Sequence, residues 1–229
     1  MTVVPGTLLS YLTPADRDHL LGRGVERRLP GGAALMHQGD ASDHVLVLLS
    51  GWVRVSSSTS DGQVILLALR GPGDVIGELA ALHHRWTRTA TVETLGEVQF
   101  VQLRGRDFVE CLHERAGIGV ALSRQLAVRL RDADASRIDV VTLDVARRVA
   151  ALVLRLARDH GRSGPEGLVL RSPLTQQDMA DRVGASRRAV SRALATLRER
   201  HIVTTGRQRF VVTAPDVLAL FAGSAPDGT

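Results

Sequence analysis

Two groups of residues in this chain have types and spacing that suit chemistry. The first is Ile76-Gly77-Glu78-Leu79-Ala80-Ala81-Leu82, followed by Arg88-Thr89-Ala90. Small residues at its start let backbone amides approach an anion. Arg88 and Thr89 supply donors to a phosphate, and Glu78 is a carboxylate able to accept from a sugar hydroxyl. The same Glu-to-Arg spacing also suits a plain surface ion pair, and the residues alone leave both readings open. The second group is arginine-rich: Arg187, Arg188, Arg192 and Arg198, with Arg207 and Arg209 beyond. On a helical wheel Arg187, Arg188, Ser191, Arg192 and Arg198 share an arc of about 140°, and Val190, Ala193, Leu194 and Leu197 lie opposite. A recognition helix needs this division: a packed back, and N-terminal donors that reach base edges in the major groove.

The elements that must position the arginines are marked by caps. Thr175 with Asp178 reads as a variant capping box, with Leu174 and Met179 as a hydrophobic staple. That helix runs to Val183. Gly184-Ala185 makes a short turn, and Ser186 caps a second helix to about Arg200, which is the helix-turn-helix pattern. Ile202–Thr205, Gly206-Arg207 and Gln208–Thr213 read as a β-hairpin wing, placing Arg207 and Arg209 near phosphates, and Thr175 and Ser186 are candidate DNA contacts as well. The competing reading is an ordinary basic helical hairpin. The coincidence of caps, turn, arginine face and wing disfavours it.

The Glu78/Arg88 group sits in a region of different texture. Short β-rich runs (Ala34–His37, His44–Leu49, Trp52–Ser57, Val64–Leu69, Thr89–Thr94, Val98–Leu103) alternate with turn signals such as Asp61-Gly62 and Gly71-Pro72-Gly73-Asp74. This spacing predicts a sandwich, barrel or jelly roll. Upstream, Thr13-Pro14-Ala15-Asp16 reads as a helix start. Beyond Leu103 come a short helix over Arg106–Glu114 and a long one from Ile118 to about Leu143. The long helix has Ile118, Leu122, Leu126, Leu130 and Ala133 near one stripe. Such a stripe exceeds what a small sandwich can cover, so a homodimer through this helix is expected. Thr142–Asp144 reads as a joint with Asp144 as the hinge, Val145–His160 is another amphipathic helix, and Gly161–Gly167 reads as a loop. The expected organisation is an α+β chain: a β sandwich, barrel or jelly roll over 1–115, a dimerisation helix over 116–143 and a winged helix-turn-helix over 144–229.

Composition narrows the function. All 29 basic residues are Arg, and the net charge is +5. Codon bias accounts for the missing Lys but not for where the charge sits. Residues 1–143 hold 15 Arg against 16 acids, and residues 144–229 hold 14 against 8. A basic module joined to a near-neutral one suggests nucleic-acid binding beside a sensing part. Cys111 is the single cysteine, so neither a disulfide nor a cysteine-ligated metal is expected within one chain, and it reads as a buried small hydrophobe. No metal site is expected, and His37, His83 and His84 read as solvated loop residues. Met1–Ser10 lacks a positive n-region, and no apolar run reaches the length of a membrane helix, so a cytoplasmic protein is expected. There is no catalytic triad with a nucleophile elbow, no zinc spacing and no P-loop, so no enzyme and no catalytic residue is expected.

The chain resembles the CRP/FNR family of transcription regulators over nearly its whole length, which implies a jelly roll, a long dimer helix and a winged helix-turn-helix in that order. Gly77-Glu78-Leu79 with Arg88-Thr89-Ala90 is similar to that family's phosphate-binding cassette. The resemblance implies a cyclic nucleotide effector, cyclic AMP before cyclic GMP, with Glu78 on the ribose 2′-hydroxyl and Arg88 and Thr89 on the cyclic phosphate. It implies a homodimer on a palindromic operator in double-stranded DNA and contact with RNA polymerase. The alternative is the same fold, independent of cyclic nucleotide or sensing another ligand. Arg129 matches a long-helix Arg that lies near the ligand in the family. Two departures stand out. Where cyclic-AMP-responsive members carry a Thr and a small polar residue against the base, this chain has Ala133 and Asp134. Ala133 cannot hydrogen-bond. Asp134 either accepts from adenine N6 or guanine N1 and N2, or is a solvated helix acid. In the recognition helix the family commonly has Arg-Glu after the capping Ser, and here Arg188 takes the Glu place. Arginine donates to guanine where glutamate accepts from cytosine, so the half-site is expected to differ there.

Overall fold

The computed structural model describes residues 4–83, 85–171, 174–206 and 209–223. The chain divides into two compact units, residues 1–130 and 131–229.

The first unit opens with α1 (Leu8–Tyr11) and α2 (Pro14–Gly22), the latter capped by the Thr13 hydroxyl, which accepts from Asp16 N at 3.2 Å. Then follow β1 (Val25–Leu29), β2 (Ala34–Met36), β3 (Val45–Ser50), β4 (Val53–Ser58), β5 (Val64–Arg70) and β6 (Val75–Ile76). A short α3 (Glu78–Leu82) precedes β7 (Thr91–Thr94), β8 (Val98–Leu103), α4 (Gly105–Glu114) and the long α5 (Ala116–Thr142), whose residues up to Leu130 belong to this unit. The strands form two four-stranded sheets, ordered β1-β8-β3-β6 and β2-β7-β4-β5, with antiparallel pairing. This is a β jelly roll, one of the three architectures the turn spacing leaves open.

Alternation explains the layers. On β3, Leu46 and Leu48 face the other sheet and pack with Met36, Val53, Val92 and Phe100. Val45 and Val47 face outward, where Leu8, Leu9, Leu20, Phe108, Ile118 and Leu122 cover them. The strand is thus buried on both sides, which is why it reads as a continuous apolar run rather than an alternating one.

Several expectations need correction. The strand expected from Thr89 begins at Thr91, because Arg88 N bonds to Asp40 O (2.8 Å) and Gly39 N to Arg88 O (2.8 Å), outside any strand. β1, β6, α1 and α3 were not anticipated. The apolar stripe of α5 is divided: Ile118 and Leu122 are buried in the first unit's core, whereas Leu130 is exposed.

The second unit continues α5 from Arg131 and adds α6 (Val145–His160), β9 (Arg162–Gly164), β10 (Gly167–Arg171), α7 (Gln176–Val183), α8 (Arg187–Glu199), β11 (Val203–Gly206), β12 (Arg209–Val212) and α9 (Pro215–Ala222). The expected loop over Gly161–Gly167 is in fact β9 and the turn into β10. β10 pairs with both β9 and β12, so the wing belongs to a four-stranded sheet β11-β12-β10-β9. Buried residues of α6 (Val149, Val153), α7 (Met179), α8 (Val190, Leu194, Leu197), β12 (Phe210, Val212) and α9 (Leu218) make its core. In this unit Ile138, Val140 and Val141 on α5 are exposed. Among the described residues no helix is long and apolar enough to cross a membrane.

Candidate functional site

The first site is built where β6 runs into α3. Gly77 is the N-cap of α3 with φ +85°, a left-handed conformation that only glycine adopts without strain. A Cβ there would lie 2.6 Å from Arg88 Nη1, 2.6 Å from Met36 Cε and 2.8 Å from His44 O. Glycine is therefore required both by the backbone and by the close approach of Arg88.

Arg88 is 3% exposed. Its Nε donates to Ser42 Oγ (3.0 Å), Nη1 to Gly77 O (2.9 Å) and Nη2 to His44 O (2.6 Å). All three acceptors are neutral, and no carboxylate of the described residues forms an ion pair with it. Burial pushes its pKa below the ordinary arginine value, although an arginine stays charged near neutral pH. The same burial, with the positive Arg88 alongside, lowers the pKa of His44. Of five guanidinium N–H groups three are used, leaving two for an anion. Thr89 is exposed beside it, and Leu79 is exposed on α3.

Glu78, 5% exposed, is the first residue of α3. Arg129 of α5 donates from Nη1 to its Oε1 (2.8 Å). Glu78 Oε2 makes no hydrogen bond to any described residue, which leaves an acceptor for a hydroxyl. The structure thus places Gly77, Glu78, Arg88 and Arg129 in one unit, with Arg88 bonded to the Gly77 carbonyl and Arg129 to Glu78. Ala133 and Asp134 lie on the part of α5 that belongs to the second unit, both exposed, and Asp134 pairs with Arg137 Nη1 at 2.9 Å.

Sequence reasoning missed four contributors: Ser42 and the His44 carbonyl, which grip Arg88, Asp74, which accepts from Arg129, and Gln125, which donates to Asp74. Gln125 left a trace, since it continues the spacing of Ile118 and Leu122 as a polar residue on the buried side of α5. No local signal marks Ser42 or His44.

The second site is α8. Val190, Ala193, Leu194 and Leu197 are buried, and Arg187, Arg188, Arg192 and Arg198 are exposed. Arg187, Arg188 and Arg192 pair with no acid among the described residues. Ser186 caps α8 by accepting from Ala189 N (3.2 Å), so its hydroxyl hydrogen stays free to donate. Ser191 is half-buried on the same side. Gly184, with φ +62°, ends α7 and makes the turn. Thr175 closes a full capping box with Asp178, and its hydroxyl donates to Asp178 Oδ2 at 2.6 Å, so that hydrogen is committed to the cap. Arg198 donates to Thr205 Oγ1 (3.3 Å), and Arg209 is paired with Glu166 (2.7 Å) at the surface. Arg207 lies outside the described residues. Asp144 caps α6, accepting from Arg147 N at 2.9 Å. Among the described residues there is no group of His, Cys, Asp and Glu fit to hold a metal.

A jelly roll with a buried arginine and a free carboxylate oxygen, followed in the chain by a winged helix-turn-helix, defines a class: a DNA-binding regulator with a small-ligand domain. Residues 26–115 match the cyclic nucleotide-binding domain family, and residues 147–221 match the Crp-like helix-turn-helix domain. The chain is 33% identical over 171 residues to the CRP-like cAMP-activated global transcriptional regulator of Mycobacterium tuberculosis, covering 75% of this chain and 76% of that one. It is 31% identical over 200 residues to the cyclic AMP receptor protein of Thermus thermophilus, covering 87% and 88%. A CooA mutant structure from Carboxydothermus hydrogenoformans superposes with TM-score 0.77 at 20% identity, covering 96% and 98%, and shares the fold. The chain belongs to the CRP/FNR family of transcription regulators. It is a DNA-binding transcription regulator with a cyclic nucleotide-binding domain.

Proposed function

We infer that this regulator works as a homodimer whose affinity for a palindromic DNA site is set by a cyclic nucleotide, cyclic AMP foremost. The observation that carries this reading is Arg88: a cation only 3% exposed, held by three neutral acceptors and left without a carboxylate partner among the described residues. Asp43, Glu78 and Asp40 act on it without pairing directly; a buried charge without a bonded counter-ion is costly, and a cyclic phosphate supplies one. Two Arg88 N–H groups and the Thr89 hydroxyl take the phosphate, and Glu78 Oε2 accepts from the ribose 2′-hydroxyl. The cAMP-activated relative in Mycobacterium tuberculosis supports the choice of nucleotide.

Arg129 connects this pocket to the long helix. The exposed Leu130, Ile138, Val140 and Val141 of that helix supply the apolar surface that a second copy covers. In the dimer the two α8 helices enter successive major grooves about 34 Å apart. Arg187, Arg188 and Arg192 face the bases there, and Ser186 and Arg198 face phosphates. Arg209 joins them, because an exposed ion pair such as the one with Glu166 exchanges at little cost. Asp144 is the hinge.

The departure at Ala133 and Asp134 from the cyclic-AMP-responsive pattern leaves the base open, and the second reading is cyclic GMP as the effector. Calorimetric titration of the full chain with cyclic AMP and cyclic GMP tests the proposal. Saturable one-to-one binding of cyclic AMP, tighter than of cyclic GMP, is the expected result. Tighter binding of cyclic GMP establishes the second reading, and no binding of either overturns both.

A further inference from the structure

Behind Glu78 lies a buried polar cluster that the effector reading does not use. Asp74, 4% exposed, closes the turn Gly71-Pro72-Gly73-Asp74: its Oδ2 accepts from Gly71 N at 2.9 Å. Its other oxygen faces α5. There Oδ1 accepts from Gln125 Nε2 at 2.6 Å and from Arg129 Nη2 at 3.2 Å. Arg129 Nη2 also donates to Val75 O at 2.6 Å, and Nη1 reaches Glu78. Gln125 stands four residues before Arg129, one helical turn away on the same side of α5. It is 1% exposed, and its Oε1 is buried with no hydrogen-bond partner among the described residues. The amide therefore makes a single bond to the described residues, the one to Asp74.

The arrangement has a direction. One carboxylate is fixed by turn backbone, and it fixes the planar guanidinium of Arg129 through one of its two ends. The other end of the same rigid fork holds Glu78 Oε1 and so sets where Glu78 Oε2 stands. Two carboxylates share one guanidinium, so Glu78 keeps its acceptor character while its position is set from behind.

Resting on the reading of Glu78 as the acceptor of a ribose hydroxyl, we propose that Asp74 and Gln125 are positioning residues. They orient Arg129, and through it Glu78, for the effector's 2′-hydroxyl. Neither touches the ligand. Their loss therefore removes recognition of one hydroxyl and leaves recognition of the phosphate.

The test compares cyclic AMP with 2′-deoxy-cyclic AMP by calorimetry, in the full-length wild type and in Asp74→Asn and Gln125→Met. Wild type is expected to prefer cyclic AMP by about tenfold or more, the usual worth of a hydrogen bond to a charged acceptor. In each variant the preference is expected to fall to within about threefold of unity, with affinity for the 2′-deoxy ligand changed by less than about threefold. An unchanged preference in both variants overturns the proposal. So does a parallel loss of both ligands, since a merely structural role or failed folding moves them together. A wild type that binds both nucleotides equally removes the Glu78 reading itself, and the proposal with it.

Discussion

Replacing Arg88 separates what its charge does from what its shape does. In Arg88→Ala two contributions disappear together. Two charge-assisted hydrogen bonds to the effector phosphate, at about 1.5–3 kcal/mol each, amount to about 3–6 kcal/mol, or roughly 10²- to 10⁴-fold in Kd. The Gly77 and His44 carbonyls also lose their donors, which costs about 1–3 kcal/mol each in a half-buried setting and lowers Tm. Arg88→Lys keeps a positive charge. However, an ammonium on a single stem cannot hold Ser42, Gly77, His44 and a phosphate at once, as the planar fork does. Its affinity is expected to lie between those of Ala and wild type, with a smaller loss of Tm. The assays are calorimetric titration with cyclic AMP and thermal unfolding without ligand. A folded Arg88→Ala that binds cyclic AMP within about threefold of wild type would refute the reasoning, because the buried cation would then have no anion to meet.

Three further outcomes are expected. Arg188→Glu leaves Tm unchanged, since Arg188 is exposed and pairs with no described acid. It shifts the preferred base pair in a randomised half-site selection, with discrimination changing by about 1–3 kcal/mol, and an identical selected sequence contradicts the base-reading role. Val141→Asp places a charge on an 85% exposed apolar position and should halve the mass seen in sedimentation equilibrium; an unchanged mass contradicts dimerisation through this helix. His44 has its pKa lowered by burial and by Arg88, so its native form resists protonation. Its contribution to stability is full above its ordinary value of 6.5 and is lost as pH falls through and below it. His44→Gln should therefore flatten the decline of Tm between pH 7 and pH 5, and an equal slope in both proteins contradicts this.

The parts of the fold legible in the sequence were those with local causes. Thr13, Thr175 and Ser186 cap helices as their types and spacings predict, because a side chain and an amide three residues on meet whatever the rest of the chain does. The two faces of α8 were legible for the same reason. β9 and β10 were not, since Gly164-Pro165-Glu166-Gly167 reads as a loop, and β10 is a strand chiefly by pairing with β12, some forty residues away. α1 and α3 have four and five residues, too few to show a period. At the effector site the sequence yields Glu78, Arg88 and, by resemblance, Arg129. The grip of Ser42 and His44 on Arg88, and the bonds of Gln125 and Arg129 to Asp74, arise from tertiary packing of residues some 44 to 55 apart. Thr175 shows the reverse case: its type suits a phosphate contact, yet its hydroxyl is committed to Asp178.

The account joins a buried phosphate-seeking arginine to an arginine-faced helix, and the most direct test measures both ends at once. Fluorescence anisotropy of a palindromic duplex, titrated with the full chain alone and with saturating cyclic AMP or cyclic GMP, reports whether the effector changes DNA affinity. The account predicts binding that strengthens by at least about tenfold with one cyclic nucleotide and weakens steeply with salt. Equal affinity with and without either nucleotide would contradict it.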